Sequence, residues 1–238
     1  MWKKEIQDML LYEDGQILVC RKPSGLAVQN SRIGVMDMES VLKNYLAEQK
    51  PGEVPYLGII SRLDQPVEGV LVFAKTPQAA ARLNAQMEKR EMKKFYLAVT
   101  DRAPGEREGW LEDYLLKDGK RNVSAVVKAG TRGAKKARLF YRVLQTVEDK
   151  NRVTGMRCLL EIRLETGRHH QIRLQMSHMG CPLVGDRKYY PEDSSALPLG
   201  LCSCAVGFRH PQTGKNMKFQ IWPQGAAFAG FDSERTFF

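Results

Sequence analysis

Long apolar runs are missing from this sequence. None approaches the roughly 20 residues needed to cross a bilayer, and Met1-Trp2-Lys3-Lys4-Glu5 leads into no uninterrupted apolar core of the kind a signal peptide carries. A soluble, cytoplasmic protein with no membrane association is expected. Cysteine is sparse: Cys20, Cys158, Cys181, Cys202 and Cys204 are the five present, and they form no Cys-x-x-Cys pair. An odd, scattered set argues against a disulfide framework or a zinc knuckle, and free thiols suit a reducing compartment. Histidine is sparser still, with four residues. On a helix His178 would lie about 12 Å along the axis from His170, at about 1.5 Å rise per residue. One ion cannot bridge that gap, and the adjacent His169 and His170 would point to different sides. No metal site is therefore expected, and a phosphodiester hydrolase, which would want a metal cluster or a histidine pair in reach, finds no support. Internal repeats, low-complexity linkers and a glycine-rich loop for a nucleotide cofactor are absent too.

Acidic residues are missing from one long stretch. Nothing acidic lies between Asp118 and Glu148, whereas Lys120, Arg121, Lys128, Arg132, Lys135, Lys136, Arg138 and Arg142 all do. The whole chain carries a formal charge of +10. A positive field of this kind attracts polyanions at long range, and clustered basic side chains can replace counterions along a phosphate backbone.

What is present supports a sizeable core, since 43% of the 238 residues are hydrophobic. The opening reads as strands: residues 6–12 are mixed and 16–20 form a short apolar run. Lys22-Pro23-Ser24-Gly25 then marks a turn, and Leu26-Ala27-Val28 resumes extended chain. Residues 40–48 suit a helix with Val41, Leu42 and Tyr45 on one face. Residues 69–74 read as a buried strand. Thr76-Pro77 suits a helix start, with a capping side chain and a proline in the first turn. That helix, striped by Ala80, Leu83 and Met87, is expected to end near Lys93. Residues 95–99 read as a strand, and the pattern stays extended to about residue 165, with strands at 123–128, 137–147 and 156–165. Residues 168–178 read as a short helix stopped by Gly180. Two more strands are expected near 201–208 and 217–222. Many strands and few helices in mixed order predict an α+β fold, a mixed and largely antiparallel sheet core with flanking helices. We expect one domain over 1–238, with no accessory RNA-binding domain before it.

Four stretches could carry chemistry. Arg62-Leu63-Asp64 precedes the apolar strand; an Asp in such a loop suits a rigid site, and equally a turn or cap. Leu164 to Arg173 gathers His169, His170, Gln171, Arg168 and Arg173 at a helix start, which already favours anions; a polar helix end with paired charges is the plain alternative. Lys93-Lys94-Phe95-Tyr96 interleaves aromatics with lysines, which suits core packing or base stacking. Residues 208–215 read as a hairpin turn with a basic rim.

In order, these stretches resemble the RluA family of pseudouridine synthases over nearly the whole chain. Leu11-Tyr12-Glu13-Asp14 and Lys22-Pro23-Ser24-Gly25-Leu26 resemble the opening strands. Arg62-Leu63-Asp64 with 69–75 resembles the catalytic motif, and Lys94-Phe95-Tyr96-Leu97-Ala98 the tyrosine strand. Thr166-Gly167-Arg168-His169-His170-Gln171-Ile172-Arg173, then Gly185-Asp186 and Tyr189, resembles the third motif. His210-Pro211 with Thr213-Gly214 resembles the closing turn. Two departures stand out: Ser61 replaces a histidine, and Gln65-Pro66-Val67-Glu68-Gly69 replaces a Thr-Ser-Gly run, which bears on the choice of RNA.

The resemblance implies isomerisation of uridine in ribosomal or transfer RNA: the glycosidic bond breaks, the uracil turns, and it rejoins through carbon. No cofactor is implied. Asp64 would be the catalytic carboxylate, as nucleophile or base. Arg173 would hold it charged, and Tyr96 would stack on the uracil or assist proton movement. Arg62, Arg168, His169, Gln171 and Ile172 would contact the substrate, and Lys135 and Lys136 of the basic run would grip its phosphates farther out. A catalytically silent RNA-binding protein on the same fold is the alternative, and a monomer is expected.

Overall fold

The computed structural model describes residues 2–30, 34–152 and 154–233. The chain divides into two compact units, each assembled from separated segments: Met1–Lys94 with Ser203–Ile221, and Phe95–Cys202 with Trp222–Phe238.

The first unit opens with helix α1 (Trp2–Met9), then strands β1 (Leu10–Glu13) and β2 (Ile17–Lys22), helix α2 (Met38–Gln49), strands β3 (Gly58–Ile59) and β4 (Glu68–Ala74) and helix α3 (Pro77–Glu88). The helix α1 corrects the reading of the opening as strands. Among its described side chains only Ile6 is buried and Met9 packs partly buried against the core, too little apolar signal to show a period. Helix α2 begins where Asp37 accepts from Ser40 N–H at 2.8 Å, an N-cap that satisfies one otherwise orphaned donor. Thr76 caps α3 in the same way, from Ala79 N–H at 3.1 Å. That helix stops short of Lys93 because Arg90 turns left-handed, with φ 57°.

Strand β4 is buried along its whole length. It pairs antiparallel with β2, from Ile17 opposite Ala74 to Lys22 opposite Gly69, and with β3. Its other neighbour is β10 (Leu201–Arg209), which pairs antiparallel with β11 (Asn216–Gln220). Leu18, Cys20, Leu71 and Phe73 pack with Met38, Leu42 and Leu46 of α2. This apolar contact between sheet and helix holds the strand from which the 60–67 loop hangs.

The second unit is built on strands β5 (Lys93–Thr100), β6 (Glu108–Asp118), β7 (Val123–Val127), β8 (Lys135–Glu148) and β9 (Met156–Leu164), in the order β5-β9-β8-β6-β7 with every neighbour antiparallel. Helix α4 (Gln171–His178) packs Leu174 against Leu115 and Ala137. The fold is thus α+β, with largely antiparallel sheet and few helices, as its residue pattern predicts. No helix among the described residues is long and apolar enough to cross a membrane.

Candidate active site

Asp64 sits half-buried in the loop between β3 and β4. A turn follows at once, closed by Val67 N–H donating to the Asp64 carbonyl at 3.0 Å. The 22–26 turn staples it in place. Gly25 N–H donates to the Gln65 carbonyl at 3.0 Å, the Gln65 amide returns a bond to Gly25 O at 2.9 Å, and Ser24 Oγ donates to Pro66 O at 2.8 Å.

Beneath the turn lies Lys22, with no exposed surface. Its Nζ donates to Gln65 O at 3.0 Å, Pro23 O at 2.9 Å and Leu26 O at 2.6 Å. Three carbonyl acceptors match the three N–H groups of an ammonium, so the charged form fits the geometry. Burial pushes Lys22 down to about 8, against the opposing pull of the Asp64 and Glu68 charges. A buried cation thus faces two carboxylates from inside the same unit. Sequence reading gives Lys22 only as part of a turn, because a lysine is rarely fully buried unless its charge is satisfied.

Glu68, in the departing 65–69 segment, is itself buried at the start of β4. Gly69 follows with φ +148°. A Cβ there would lie 2.6 Å from the N, O and Cβ of Ser203 in β10, so only glycine lets the two strands approach. Arg62 is exposed two residues before Asp64, and Ser61 is half-buried.

Tyr96 lies in the second unit, buried on β5 opposite Ile162 of β9. Phe95 points to the other face, in a cross-strand row with Arg163, Phe140 and Trp110. The Arg163 guanidinium lies 5.8 Å from the Phe95 ring and 5.5 Å from Phe140, so this row is already stacked internally. Burial alone pushes Lys94 down to about 8.

The 164–173 stretch folds differently from a plain helix start. Gln171 opens α4, and His170 before it is left-handed, with φ 54°. That kink stacks the His169 and His170 rings at 3.8 Å, which overturns the expectation that they point to different sides; the helical geometry behind it does not reach residue 169. His169 Nδ1 lies 2.9 Å from Ser124 Oγ and its Nε2 lies 3.0 Å from Asn122 Oδ1. Tyr189 Oη accepts from Ser124 N–H at 2.8 Å, leaving its proton for His170 Nδ1, also 2.8 Å away. Gln171 is buried; its carbonyl accepts from Thr166 Oγ1 at 2.8 Å and Arg168 N–H at 3.0 Å, and its amide donates to Arg138 O at 3.1 Å. Ile172 is buried as well. Arg168 donates to Lys136 O at 2.9 Å.

Arg173 is buried and grips Asp186 in two bonds, Nε to Oδ2 at 2.8 Å and Nη2 to Oδ1 at 2.6 Å. Its guanidinium carbon lies 5.4 Å from the Tyr189 ring. Asp186 and Tyr189 belong to the third motif, but nothing in their spacing announces these contacts.

The basic run splits in two. Lys136 and Arg138 meet Glu112 at 2.7 and 3.7 Å, and Arg142 meets Glu108 at 2.7 Å. Lys120, Lys128, Arg132 and Lys135, at or beside the exposed hairpin ends, make no ion pair among the described residues. His210 closes the last hairpin, as the turn reading expects: its Nδ1 accepts from Gln212 and Thr213 N–H at 3.2 and 3.1 Å, and its Nε2 lies 2.8 Å from Asp14.

Residues 16–178 match the model of the RNA pseudouridylate synthase family. The chain belongs to this family. It is 36% identical over 189 residues to the ribosomal large subunit pseudouridine synthase D of Pseudomonas aeruginosa, covering 78% of this chain and 54% of that one. It is 30% identical over 221 residues to the tRNA pseudouridine synthase C of Vibrio cholerae, covering 86% of each. Against the first curated relatives, the chain spans between 54% and 67% of their length. A human protein solved as RNA pseudouridylate synthase domain containing 4 shares the fold, with a TM-score of 0.75 at 22% identity, covering 93% of this chain and 91% of that one. The family's match takes in Asp64, Tyr96 and Arg173, and ends at His178, the last residue of α4.

Proposed function

We propose that this protein isomerises selected uridines of ribosomal or transfer RNA to pseudouridine, with Asp64 as the catalytic carboxylate. The observation that carries this reading is the presentation of Asp64, in a family member, on a stapled turn above the buried Lys22 cation. Such a mount holds a carboxylate in one orientation, as a reacting group requires. Relatives named for ribosomal and for transfer RNA both match, so both substrates stand.

The chemistry needs no group to enter or leave. The target uridine first turns out of its stack, at a cost of a few kcal/mol recovered by contacts in the pocket. Asp64 then acts as nucleophile or base while the glycosidic bond breaks and the uracil rejoins through carbon. Tyr96 stacks on the base or assists proton movement, and Arg173, always charged, serves the carboxylate as its counter-ion. Arg62, exposed on the catalytic loop, takes up the vacated place or the backbone. Arg168, His169, Gln171 and Ile172 shape the helix start that meets the substrate. Lys135 and the other unpaired basic side chains of the β6–β7 and β7–β8 hairpins grip phosphates farther out, with Lys136 beside them, and position the RNA without reading its sequence. The five buried free thiols fit a reducing cytoplasm, and we read the protein as a monomer there.

The test uses purified protein, unmodified ribosomal and transfer RNA transcripts, and mapping of pseudouridine by chemical-adduct primer stops. Wild type should yield product on one class. Asp64→Asn and Asp64→Ala should yield none while binding the same RNA. Binding without product by wild type on either class would favour a silent RNA-binding protein.

A further inference from the structure

The second unit holds a buried carboxylate for which the proposed reaction names no role. Asp186 is 1% exposed and accepts four N–H bonds. Two come from Arg173; the others come from the backbone of Lys188 at 3.0 Å and Tyr189 at 3.2 Å. A bidentate grip through Nε and Nη2 fixes both the plane of a guanidinium and its rotation about the side-chain axis. It therefore fixes where the remaining nitrogen, Nη1, aims.

Asp186 is itself anchored. Gly185 has φ +73°, and a Cβ there would lie 2.3 Å from Pro198 O, so the turn sits hard against the 197–198 backbone. Gly185 N–H donates to Asp193 Oδ2 at 2.7 Å, and Asp193 pairs with the buried Arg152 at 2.9 Å. Tyr189, three residues on, places its ring against the Arg173 guanidinium and its hydroxyl between Ser124 and His170. The contacts run without a break from Arg152 through Asp193, Gly185 and Asp186 to Arg173. Surface charge pairing would need none of this; a guanidinium required at one position to within a fraction of an ångström would.

We propose that Asp186 is a positioning residue for the isomerisation, acting through Arg173 and touching no substrate. This rests on the reading above, in which Arg173 serves Asp64. Misplacing a reacting assembly by about 1 Å can cost on the order of 100-fold in rate, and an asparagine at 186 offers the guanidinium one acceptor instead of two and no charge.

The experiment compares wild type, Asp186→Asn and Asp186→Glu by single-turnover pseudouridine formation and by RNA-binding stoichiometry and Kd, on the transcripts named above. Expected for Asp186→Asn is a rate lower by about 10- to 100-fold, with full stoichiometry and an unchanged Kd. Asp186→Glu keeps the charge but shifts the carboxylate by a methylene, so a positioning role also predicts a rate at least about tenfold lower at unchanged Kd. If Asp186→Asn does not fold, Asp186→Glu decides. A rate near wild type in Asp186→Glu, or loss of rate matched by loss of binding stoichiometry, would overturn the proposal and leave Asp186 a structural counter-ion. Failure of the underlying reading looks different: wild type makes no product, or Asp64→Asn stays active.

Discussion

Gly69→Ala tests the mount of the turn that carries Asp64. Gly69 lies opposite Lys22 on one side and meets Ser203 on the other, so a methyl group there strikes backbone that cannot rotate away. Two costs add. Holding alanine at φ +148° costs about 1–3 kcal/mol, since that region is essentially reserved for glycine. Forcing β4 and β10 apart adds about 1–3 kcal/mol of overpacking. The expected loss is therefore about 4 kcal/mol within a range of about 2–6. Urea unfolding followed by far-UV circular dichroism, extrapolated linearly to water, measures it. Gly207→Ala is the internal control: it lies in β10, outside the left-handed region, and its nearest new contacts would be Lys93 Cβ and Met217 O at 3.8 Å. That change should be neutral or stabilise by up to about 1 kcal/mol through the unfolded chain. Equal stabilities for the two variants would refute the reasoning. Because Gly69 follows the 64–67 turn so closely, its substitution should also lower single-turnover rates at temperatures where the protein remains folded.

Raising the pH through about 8 removes the Lys22 proton in the folded protein, whereas the unfolded chain keeps it to 10.5. Between those values the unfolded state binds more protons, so this group's own contribution to stability rises with pH, while the 64–67 turn loses a cation. Rates should fall above about pH 8 without a parallel loss of urea stability, and should do so in Lys94→Met as well; a rate flat to about pH 9.5 would contradict this role for Lys22. Removing Lys128 and Lys135 together should weaken RNA binding and reduce the slope of log K against log salt by about 1.5, at about 0.7–0.9 per lost phosphate contact. An unchanged slope would show that these lysines do not meet the backbone.

Local signals made much of the fold readable. Thr76-Pro77 announces α3 and the apolar run 69–74 announces β4, because a cap and an unbroken buried strand are written in adjacent residues. Helix α1 is short and shows only Ile6 as a described buried apolar anchor, so its period stayed hidden. The early end of α3 depends on Arg90 adopting a conformation that arginine rarely takes. At the candidate site, Asp64 and Arg173 could be put forward from motifs. Their supports could not, since they are contacts between distant residues: Lys22 reaches Gln65, Ser124 reaches His169 and Tyr189, and Arg173 reaches Asp186. A lysine beside a proline turn gives no hint in sequence that three carbonyls will enclose it.

The split of the first unit into Met1–Lys94 and Ser203–Ile221 has a temporal meaning. Strand β4 gains its neighbour β10 only when Ser203 has been synthesised, 139 residues after Asp64. At about 5–20 residues per second that delay is roughly 7–28 s. Throughout it the glycine built to meet Ser203 faces nothing, and the turn carrying Asp64 hangs from an unfinished sheet. A nascent chain therefore lacks the strand against which Gly69 packs until residue 203 has left the ribosome, and a fragment ending before residue 203 should leave the 64–67 turn on an open sheet edge.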